Sequence, residues 1–357
     1  MALMRVTSPH THNRQTIGQV MQLVLLATLP GILALTFAFG WGTLVNILLA
    51  VIFAIALEAC ALKLRKRPIK FYLNDYTAIV TAVLLAIALP PYSSWWVILV
   101  GIFFSIIVAK QLYGGLGYNP FNPAMVGYVA LLISFPVAMT AWPAPIHLTP
   151  DAVTIPNLLD ALLIALTVIE RPMIDGFTMA TPLDLVRQND SLLLNDLMNE
   201  YPQFGRWSGS GWEWANLAFL AGGLFLLQRK IFTWHTPVSM LLAIVIMSAL
   251  FYDGGSSASA GSPLFHLLGG ATMFGAWFIA TDPVSSAVSN KGRIIYGAGI
   301  GVLTFIIRKW GNYPDAVAFA VLLMNFSAPL IDHYTQTKPY GHNNLSLIHI
   351  SEPTRPY

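Results

Sequence analysis

The chain has 357 residues, of which 56% are hydrophobic and only 10% charged. Soluble globular domains carry about 25% charged residues, so this composition excludes an ordinary soluble domain and indicates a protein built mainly of membrane helices. The net charge of +3 does not form a nucleic-acid footprint, because lysine and arginine fall between the apolar runs. The single cysteine, Cys60, excludes an internal disulfide and a cysteine-ligated Fe–S cluster or structural zinc site within this chain.

Ten apolar runs are long enough, or nearly long enough, to cross a bilayer, whose hydrocarbon core takes roughly 20 residues of α-helix. Several of these runs are short, and glycine or proline interrupts many of them. They cover residues 18–39, 44–62, 75–91, 95–110, 123–141, 213–228, 235–252, 263–281, 293–308 and 315–333. The pattern predicts an all-α polytopic membrane protein with about ten transmembrane helices.

The distribution of lysine and arginine predicts how these helices are oriented, because short basic loops stay on the cytoplasmic side. The second loop carries five basic residues within 63–70, whereas the turns 39–43 and 90–94 carry none. The long loop 142–212 holds eight acidic residues against three arginines, which places it outside. This orientation puts both termini in the cytoplasm, and Arg308–Lys309 is its one exception.

Ten helices divide into two halves of five, and an odd number of helices inverts the second half relative to the first. The predicted divisions are an N-terminal membrane half at 1–141, a periplasmic loop at 142–212 and a C-terminal membrane half at 213–342. Asn122–Leu132 opens the fifth helix and Tyr313–Leu323 the tenth, each with a proline followed by small residues. Paired helices interrupted by proline in this way are typical of inverted-repeat membrane folds.

One segment of the long loop, Asp175–Thr181, gathers polar residues in a chain that otherwise has few. It reads Asp-Gly-Phe-Thr-Met-Ala-Thr and is followed by Pro182–Asp184. Asp175 and Gly176 favour a tight turn, which would expose a threonine hydroxyl. An ordinary Asx-type turn in a polar loop is the structural alternative.

This segment resembles the flavin-attachment motif of the Rnf complex D protein and of the B protein of the sodium-pumping quinone reductase. In that family the last threonine carries FMN through a phosphoester bond, so the resemblance assigns the attachment to Thr181. The other residues that match the attachment motif are Asp175, Gly176, Thr178 and Ala180. Met179 departs from the pattern, since a smaller residue is common at that position.

The resemblance extends from about residue 5 to 342. The segments that carry it outside the loop are Ser8–His12, Lys110–Gly117, Asn119–Ala124, Ala280–Val284 and Tyr313–Ala320. The short N-terminus and these strings fit the Rnf D protein more closely than the quinone-reductase protein. The segment 345–357 does not continue the pattern; it resembles translated adapter sequence and is excluded from the fold prediction.

The resemblance implies a multi-pass flavoprotein of the bacterial inner membrane with covalent FMN and a non-covalent riboflavin. It implies a complex with the Rnf proteins A, B, C, E and G, and maturation by a flavin transferase. Electrons would pass between ferredoxin and NAD, coupled to movement of Na⁺ or H⁺. The chain has no dinucleotide-binding glycine fingerprint, so no complete activity is expected of it alone. A solute transporter or channel, the B protein of the quinone reductase, and a structural scaffold are the alternatives.

Asn119, Asn122 and Asp282 stand beside prolines at predicted cytoplasmic helix ends. Unwound backbone at such positions can line a cavity, and a polar residue at membrane depth is a functional hypothesis by default. The functional interpretation makes them part of an ion path or of a second flavin site. Capping of the adjacent turns is the alternative.

Two acidic residues have structural interpretations. Glu58, near the end of the second predicted helix, is expected to neutralise Lys63 or Lys66 rather than to move ions. Asp75 precedes the third predicted helix, and it is expected to cap that helix through its side-chain oxygen.

Overall fold

The computed structural model describes residues 16–149, 155–169, 178–189, 191–256, 259–311, 313 and 316–335. Over these residues the protein is mostly helical and has no sheet, only two isolated β-bridges. Two residues of the predicted attachment motif, Asp175 and Gly176, lie outside the described residues, as does the segment 345–357. The expected all-α architecture is therefore what the described residues show.

Among the described residues, the first half contains seven α-helices and the long loop contains three more. The first half comprises α1 (Ile17–Phe39), α2 (Gly42–Leu64), α3 (Ile69–Leu73), α4 (Thr77–Ala88), α5 (Trp95–Ile102), which runs on as a π-helix (Phe103–Gln111), α6 (Pro123–Ser134) and α7 (Pro136–Thr140). The loop holds a 3₁₀ turn (Ile146–Leu148), α8 (Leu158–Ala165), α9 (Pro182–Gln188) and α10 (Leu194–Glu200).

The second half repeats the succession of long helices. It comprises α11 (Trp212–Gln228), α12 (His235–Leu250), α13 (Pro263–Leu268), α14 (Thr272–Phe274), which runs on as a π-helix (Gly275–Ile279), α15 (Asn290–Trp310) and α16 (Val317–Thr335). Each of the ten predicted spans coincides with one of these helices or with a consecutive pair. The eighth is broken, because the backbone unwinds between α13 and α14.

Three described helices are long and apolar enough to cross a membrane by length and composition alone, namely α1, α2 and α16. The helix α4, the continuous segment from α5 through its π-helix, α6 and α12 are apolar but shorter. The count of ten spans therefore stays a prediction. Short or broken helices are tolerated at membrane depth where neighbouring helices bury them, and α4 is buried over most of its length.

The contacts among the long helices follow a similar order in the two predicted halves. In the first half α2 packs against α4 and against the α5 segment; in the second half α12 packs against α13 and extensively against α15. The fifth predicted helix, α6, contacts the π-helix before it, and α16 contacts α15 in the same way. Between the halves α1 packs along α11. These contacts are those expected if helices one to five correspond to helices six to ten.

Local sequence signals explain where several helices begin. The Asn122 side chain accepts the Met125 N–H at 3.3 Å and so caps α6 at its first proline. Asp75 stands one residue before Tyr76, the N-cap of α4, and its carboxylate accepts the N–H of Thr77 at 2.8 Å. It therefore satisfies the first N–H of the predicted helix without being the N-cap residue itself. The tenth predicted helix opens in the structure at Val317.

The predicted partner of Glu58 is wrong. Glu58 is buried and pairs with Lys110 at 2.7 Å, not with Lys63 or Lys66. The π-helix that ends at Gln111 also presents that glutamine amide to Glu58 at 2.9 Å. Two ions in a low-dielectric interior are stable only when they are paired and hydrogen-bonded. The buried Glu58 therefore pairs with the buried Lys110 and not with the exposed Lys63 or Lys66.

Arg308, part of the exception to the charge pattern, has an equally specific environment. It is only 4% exposed and donates a hydrogen bond to the His266 carbonyl at 3.1 Å. The charge is therefore held inside the protein and is not presented by a loop. Because orientation follows the basic residues of short loops, this burial weakens the one objection to the predicted topology.

Candidate functional site

The last residues of the predicted attachment motif are held against the beginning of the long loop. Thr178 forms an isolated antiparallel bridge with Pro143, and the Met179 N–H donates to the Trp142 carbonyl at 3.1 Å. This hydrogen bond belongs to the bridge, and it fixes the segment just before it reaches Thr181. The hydroxyl of Thr181 is consequently presented from a supported segment of chain.

Thr181 is half-buried and is the N-cap of α9, whereas Ala180 before it is exposed. Its hydroxyl donates to the Asp184 carboxylate at 2.7 Å, and the Asp184 N–H donates back to Oγ1 at 3.3 Å. Arg187 lies 3.6 Å from the other carboxylate oxygen. A base within hydrogen-bond distance of a hydroxyl is the arrangement that activates it as a nucleophile.

Thr181 lines a cleft between the two membrane halves, which we call the Thr181 cleft. Its empty space, counting the open side, is about 1110 Å³. The aromatic residues of its walls are Tyr128, Trp142, Trp212, Phe219 and Phe274. The rings of Trp142 and Trp212 meet edge to face with centroids 4.7 Å apart. Ligand sites typically have apolar and aromatic walls with few polar groups, so the lining of this cleft suits a planar organic group.

The break between α13 and α14 forms one side of this cleft, at residues 269–271. One buried side chain satisfies the unwound backbone there. Asn216 donates to the carbonyls of Leu268 and Gly270, both at 2.8 Å, and accepts the Met273 N–H at 3.0 Å. The broken helix is therefore a specified element, and Asn216 sets the shape of the cleft wall.

Asn119, Asn122 and Asp282, predicted from separate parts of the sequence, line a single second cleft. We call it the Asn122 cleft; its empty space, again counting the open side, is about 1370 Å³. The Asn122 amide reaches the Ile279 carbonyl at 3.4 Å while its oxygen caps α6. Capping and cleft lining are therefore both properties of this residue, and neither interpretation excludes the other.

The Asn122 cleft also contains charged groups. Lys110, Lys230 and Arg293 line it together with Asp282, and Lys110 is neutralised by its buried carboxylate partner. Asp282 follows the end of the π-helix and accepts a hydrogen bond from the Ser285 hydroxyl at 2.6 Å. Burial raises the pKa of the Asp282 carboxyl above its ordinary value, and the bond from Ser285 opposes that shift.

The two clefts can be compared helix by helix under the predicted repeat. The Thr181 cleft is walled by the ends of α1 and α4, by α6 and α7, by the beginnings of α11 and α16, and by α14. The Asn122 cleft is walled by the beginnings of α1, α4 and α6, by the ends of α11 and of the π-helix at 275–279, and by Thr236 and Arg293. Exchange of helices one to five with six to ten relates most of these walls, whereas α6 and α7 in the first cleft and Thr236 and Arg293 in the second have no counterpart. That π-helix separates the clefts, since Gly275 and Ile279 line the first and Trp277 and Phe278 the second.

Sequence reasoning did not assign Asp184, Asn216 or the two tryptophans to a site. The spacing of Thr181 and Asp184 is that of a helix N-cap and its acidic third residue, which could have identified the carboxylate. Asn216 and the tryptophans carry no such local signal, because their roles depend on contacts with distant segments. Among the described residues no group of three or more histidine, cysteine or acidic side chains could hold a metal ion.

Together these features define a helical protein, with several apolar helices typical of a membrane protein and two clefts lined by residues from both parts of the chain. The chain belongs to the NQR2, RnfD, RnfE family, whose sequence model matches residues 4–341.

It is similar to the D proteins of three ion-translocating oxidoreductase complexes. The protein of Cellvibrio japonicus (strain Ueda107) is 57% identical over 345 residues, covering 96% of each chain. That of Pseudomonas aeruginosa (strain UCBPP-PA14) is 54% identical over 342 residues, which cover 96% of this chain and 97% of that protein. That of Vibrio vulnificus (strain YJ016) is 50% identical over 360 residues, covering 96% and 100%. The resemblance inferred from the motifs is confirmed.

Proposed function

We propose that this chain is the flavin-carrying D protein of an ion-translocating oxidoreductase complex and that FMN is esterified to Thr181. The observation that carries the proposal is the position of the Thr181 hydroxyl, hydrogen-bonded to Asp184 and lining an aromatic cleft. The three similar proteins named above, each a component of such a complex, support the complex and its class of reaction.

The residues of the Thr181 cleft fit an FMN. Thr181 would supply the oxygen of the phosphoester, and Asp184, which accepts the hydrogen bond of that hydroxyl at 2.7 Å, would orient the oxygen. Trp142 and Trp212 would pack against the flavin ring, since stacked aromatic groups prefer such apolar walls. Bound FMN supplies reversible electron transfer, which protein side chains alone do not. Covalent attachment would prevent loss of a soluble, anionic cofactor from a cleft with an open side.

The Asn122 cleft would hold the second, non-covalent flavin, riboflavin. Its amides and Asp282 offer hydrogen-bond donors and acceptors for a polar ring edge, and Trp277 and Phe278 offer apolar contact. An ion path through the same cleft is the second candidate for these residues, favoured by the charged lining described above. Transport of Na⁺ or H⁺ would be coupled to electron transfer through the assembled complex.

The proposal places the chain in the bacterial inner membrane, with the 142–212 loop periplasmic and both termini cytoplasmic. The A, B, C, E and G proteins of the complex would supply the ferredoxin and NAD chemistry, and a flavin transferase would load Thr181. A solute transporter of inverted-repeat fold needs no covalent flavin, and this difference separates the two classes.

The test is denaturing electrophoresis of the chain co-expressed with its flavin transferase. The wild-type band should fluoresce, Thr181→Ala should abolish the fluorescence, and Thr178→Ala and Thr181→Ser should retain it because each keeps a hydroxyl at 181. Fluorescence in Thr181→Ala would move the attachment elsewhere. A wild-type band without flavin would favour the transporter. Denaturation of Thr181→Ala should still release riboflavin; its absence would leave the Asn122 cleft to the ion path.

A further inference from the structure

Two loops on the predicted cytoplasmic side are joined into one surface. Arg65 donates to the Gln111 side chain at 2.8 Å and to the Gly114 carbonyl at 3.3 Å, and Arg67 donates to the same carbonyl at 3.0 Å. Arg67 also lies over the Tyr72 ring. Both guanidinium groups are thus used inside the protein, and they hold the segment after α2 against the segment after the π-helix that follows α5.

The surface made by these loops combines apolar and cationic side chains, and we call it the basic-aromatic patch. Its most exposed large apolar residues are Leu64, Phe71, Leu112 and Tyr118, each more than 70% exposed. Lys63, Lys66 and Lys70 are also exposed. Within the described part of the chain none of the three lysines forms an ion pair with a carboxylate. The patch therefore presents three ammonium groups beside a layer of apolar side chains.

The position of the patch identifies its occupant. Leu64 is the last residue of α2, and Leu112 directly follows the π-helix, so both stand where apolar helices end. Along α2 the exposed residues Leu48, Ile52 and Ile55 are apolar, so the helix that ends at Leu64 presents an apolar face toward its beginning, as a lipid-facing helix would. Aromatic and long cationic side chains concentrate at such boundaries, where the ring or alkyl stem is apolar and the tip is polar.

We propose that the basic-aromatic patch binds anionic phospholipid headgroups of the adjacent leaflet, with Leu64, Phe71, Leu112 and Tyr118 inserted at the level of the acyl boundary. Charge decides between anionic and neutral lipid, because lysines near a membrane surface attract anionic headgroups additively. An acidic soluble protein would meet the same charge, but the apolar residues that end the helices lie at bilayer depth and would be inaccessible to it.

The experiment uses the full chain in nanodiscs of equal phosphatidylglycerol and phosphatidylcholine, followed by delipidation and native mass spectrometry of the retained lipid. Wild type should retain phosphatidylglycerol preferentially. Combined Lys63→Gln, Lys66→Gln and Lys70→Gln should reduce that preference by roughly a hundredfold if each lysine acts independently. The corresponding three Lys→Arg substitutions should preserve it, since they keep the charge.

A matched control removes three positive charges elsewhere, as Arg229→Gln, Lys291→Gln and Lys309→Gln, and should leave the preference for phosphatidylglycerol unchanged. Equal loss in this control would mean that net charge alone attracts the lipid, which would overturn the site. An unchanged preference in the patch variant would overturn it too. If that variant instead lost a partner protein when the complex is purified, the patch would be a protein interface.

Discussion

The sharpest structural prediction concerns Asn216, which holds the break between α13 and α14. The residue is 1% exposed, and its amide contacts three backbone groups of the break, the carbonyls of Leu268 and Gly270 and the N–H of Met273. Replacement by alanine removes all three partners while leaving the unwound backbone in place. The substitution therefore tests whether the shape of the cleft wall depends on one side chain.

The expected magnitude follows from the number of groups left without partners. A buried polar group that loses its partner costs about 1–3 kcal/mol, so three groups set an upper range of roughly 3–9 kcal/mol. Water can enter from the open Thr181 cleft and replace part of this loss. We therefore expect Asn216→Ala to lower the free energy of unfolding by about 3 kcal/mol, near the low end of that range.

The assay combines an unfolding titration in detergent with the amount of flavin attached to each chain, measured by fluorescence of the denatured band. Asn216→Asp should be more harmful than alanine, because a carboxylate would face two carbonyl oxygens without a donor to offer them. Asn46→Ala is a matched control: Asn46 is also fully buried but makes one hydrogen bond, to the Pro90 carbonyl at 2.8 Å. It should lose stability without losing flavin selectively.

Wild-type stability and flavin content in Asn216→Ala would refute this reasoning. Equal behaviour of the alanine and aspartate variants would refute the additional cost expected when a carboxylate faces the two carbonyl oxygens. Loss of stability with an unaltered cleft would show that Asn216 supports the helix packing but does not position the wall.

Three further predictions test other parts of the structure. Glu58→Gln or Lys110→Met alone should lower the free energy of unfolding by about 3–5 kcal/mol, because each leaves a buried charge unpaired. The double variant should recover much of this loss in the same unfolding titration. Equal losses in the single and double variants would contradict the pairing. Because the pKa of Asp282 is raised from its ordinary 3.8, the native state binds more protons than the unfolded state above that pH, and this group lowers the free energy of unfolding as pH rises. Asp282→Asn should therefore be more stable than wild type near neutral pH but not near pH 3.8. An equal gain at both pH values would refute the titration of Asp282. Ser191→Cys in a Cys60→Ala background should react with an impermeant maleimide added outside intact cells, and reaction only after lysis would reverse the topology.

Much of the fold follows from local features of the sequence. Helix positions were predictable because apolar runs and the basic residues between them report directly on the bilayer. The three polar residues at 119, 122 and 282 were identified because each stands beside a proline at a helix end. What the sequence did not reveal was that they share one cleft, since two of them are about 160 residues away from the third along the chain.

The errors and omissions have a common physical cause. Lys63 and Lys66 are the lysines nearest to Glu58 along the chain, whereas its actual partner, Lys110, is 52 residues away on a helix packed beside it. The break after α13 lies inside an apolar run containing Gly269 and Gly270, and apolarity alone cannot distinguish a continuous helix from a broken one. The packing of Trp142 on Trp212 is equally a product of tertiary structure.

The relation between the clefts bears on why only one would need a covalent cofactor. In the predicted repeat both clefts have a similar helical frame, and α1 and α11 pack antiparallel across the interface. The difference between the clefts would then come from what is added to that frame. The long loop adds Thr181 and Trp142 to one cleft; within the described residues no comparable loop lines the other, whose lining instead includes Lys230 and Arg293. In the proposed function the loop is thus the feature that converts one of two equivalent clefts into a site of permanent attachment. Transfer of electrons between the clefts would then cross the π-helix at 275–279, whose residues line both.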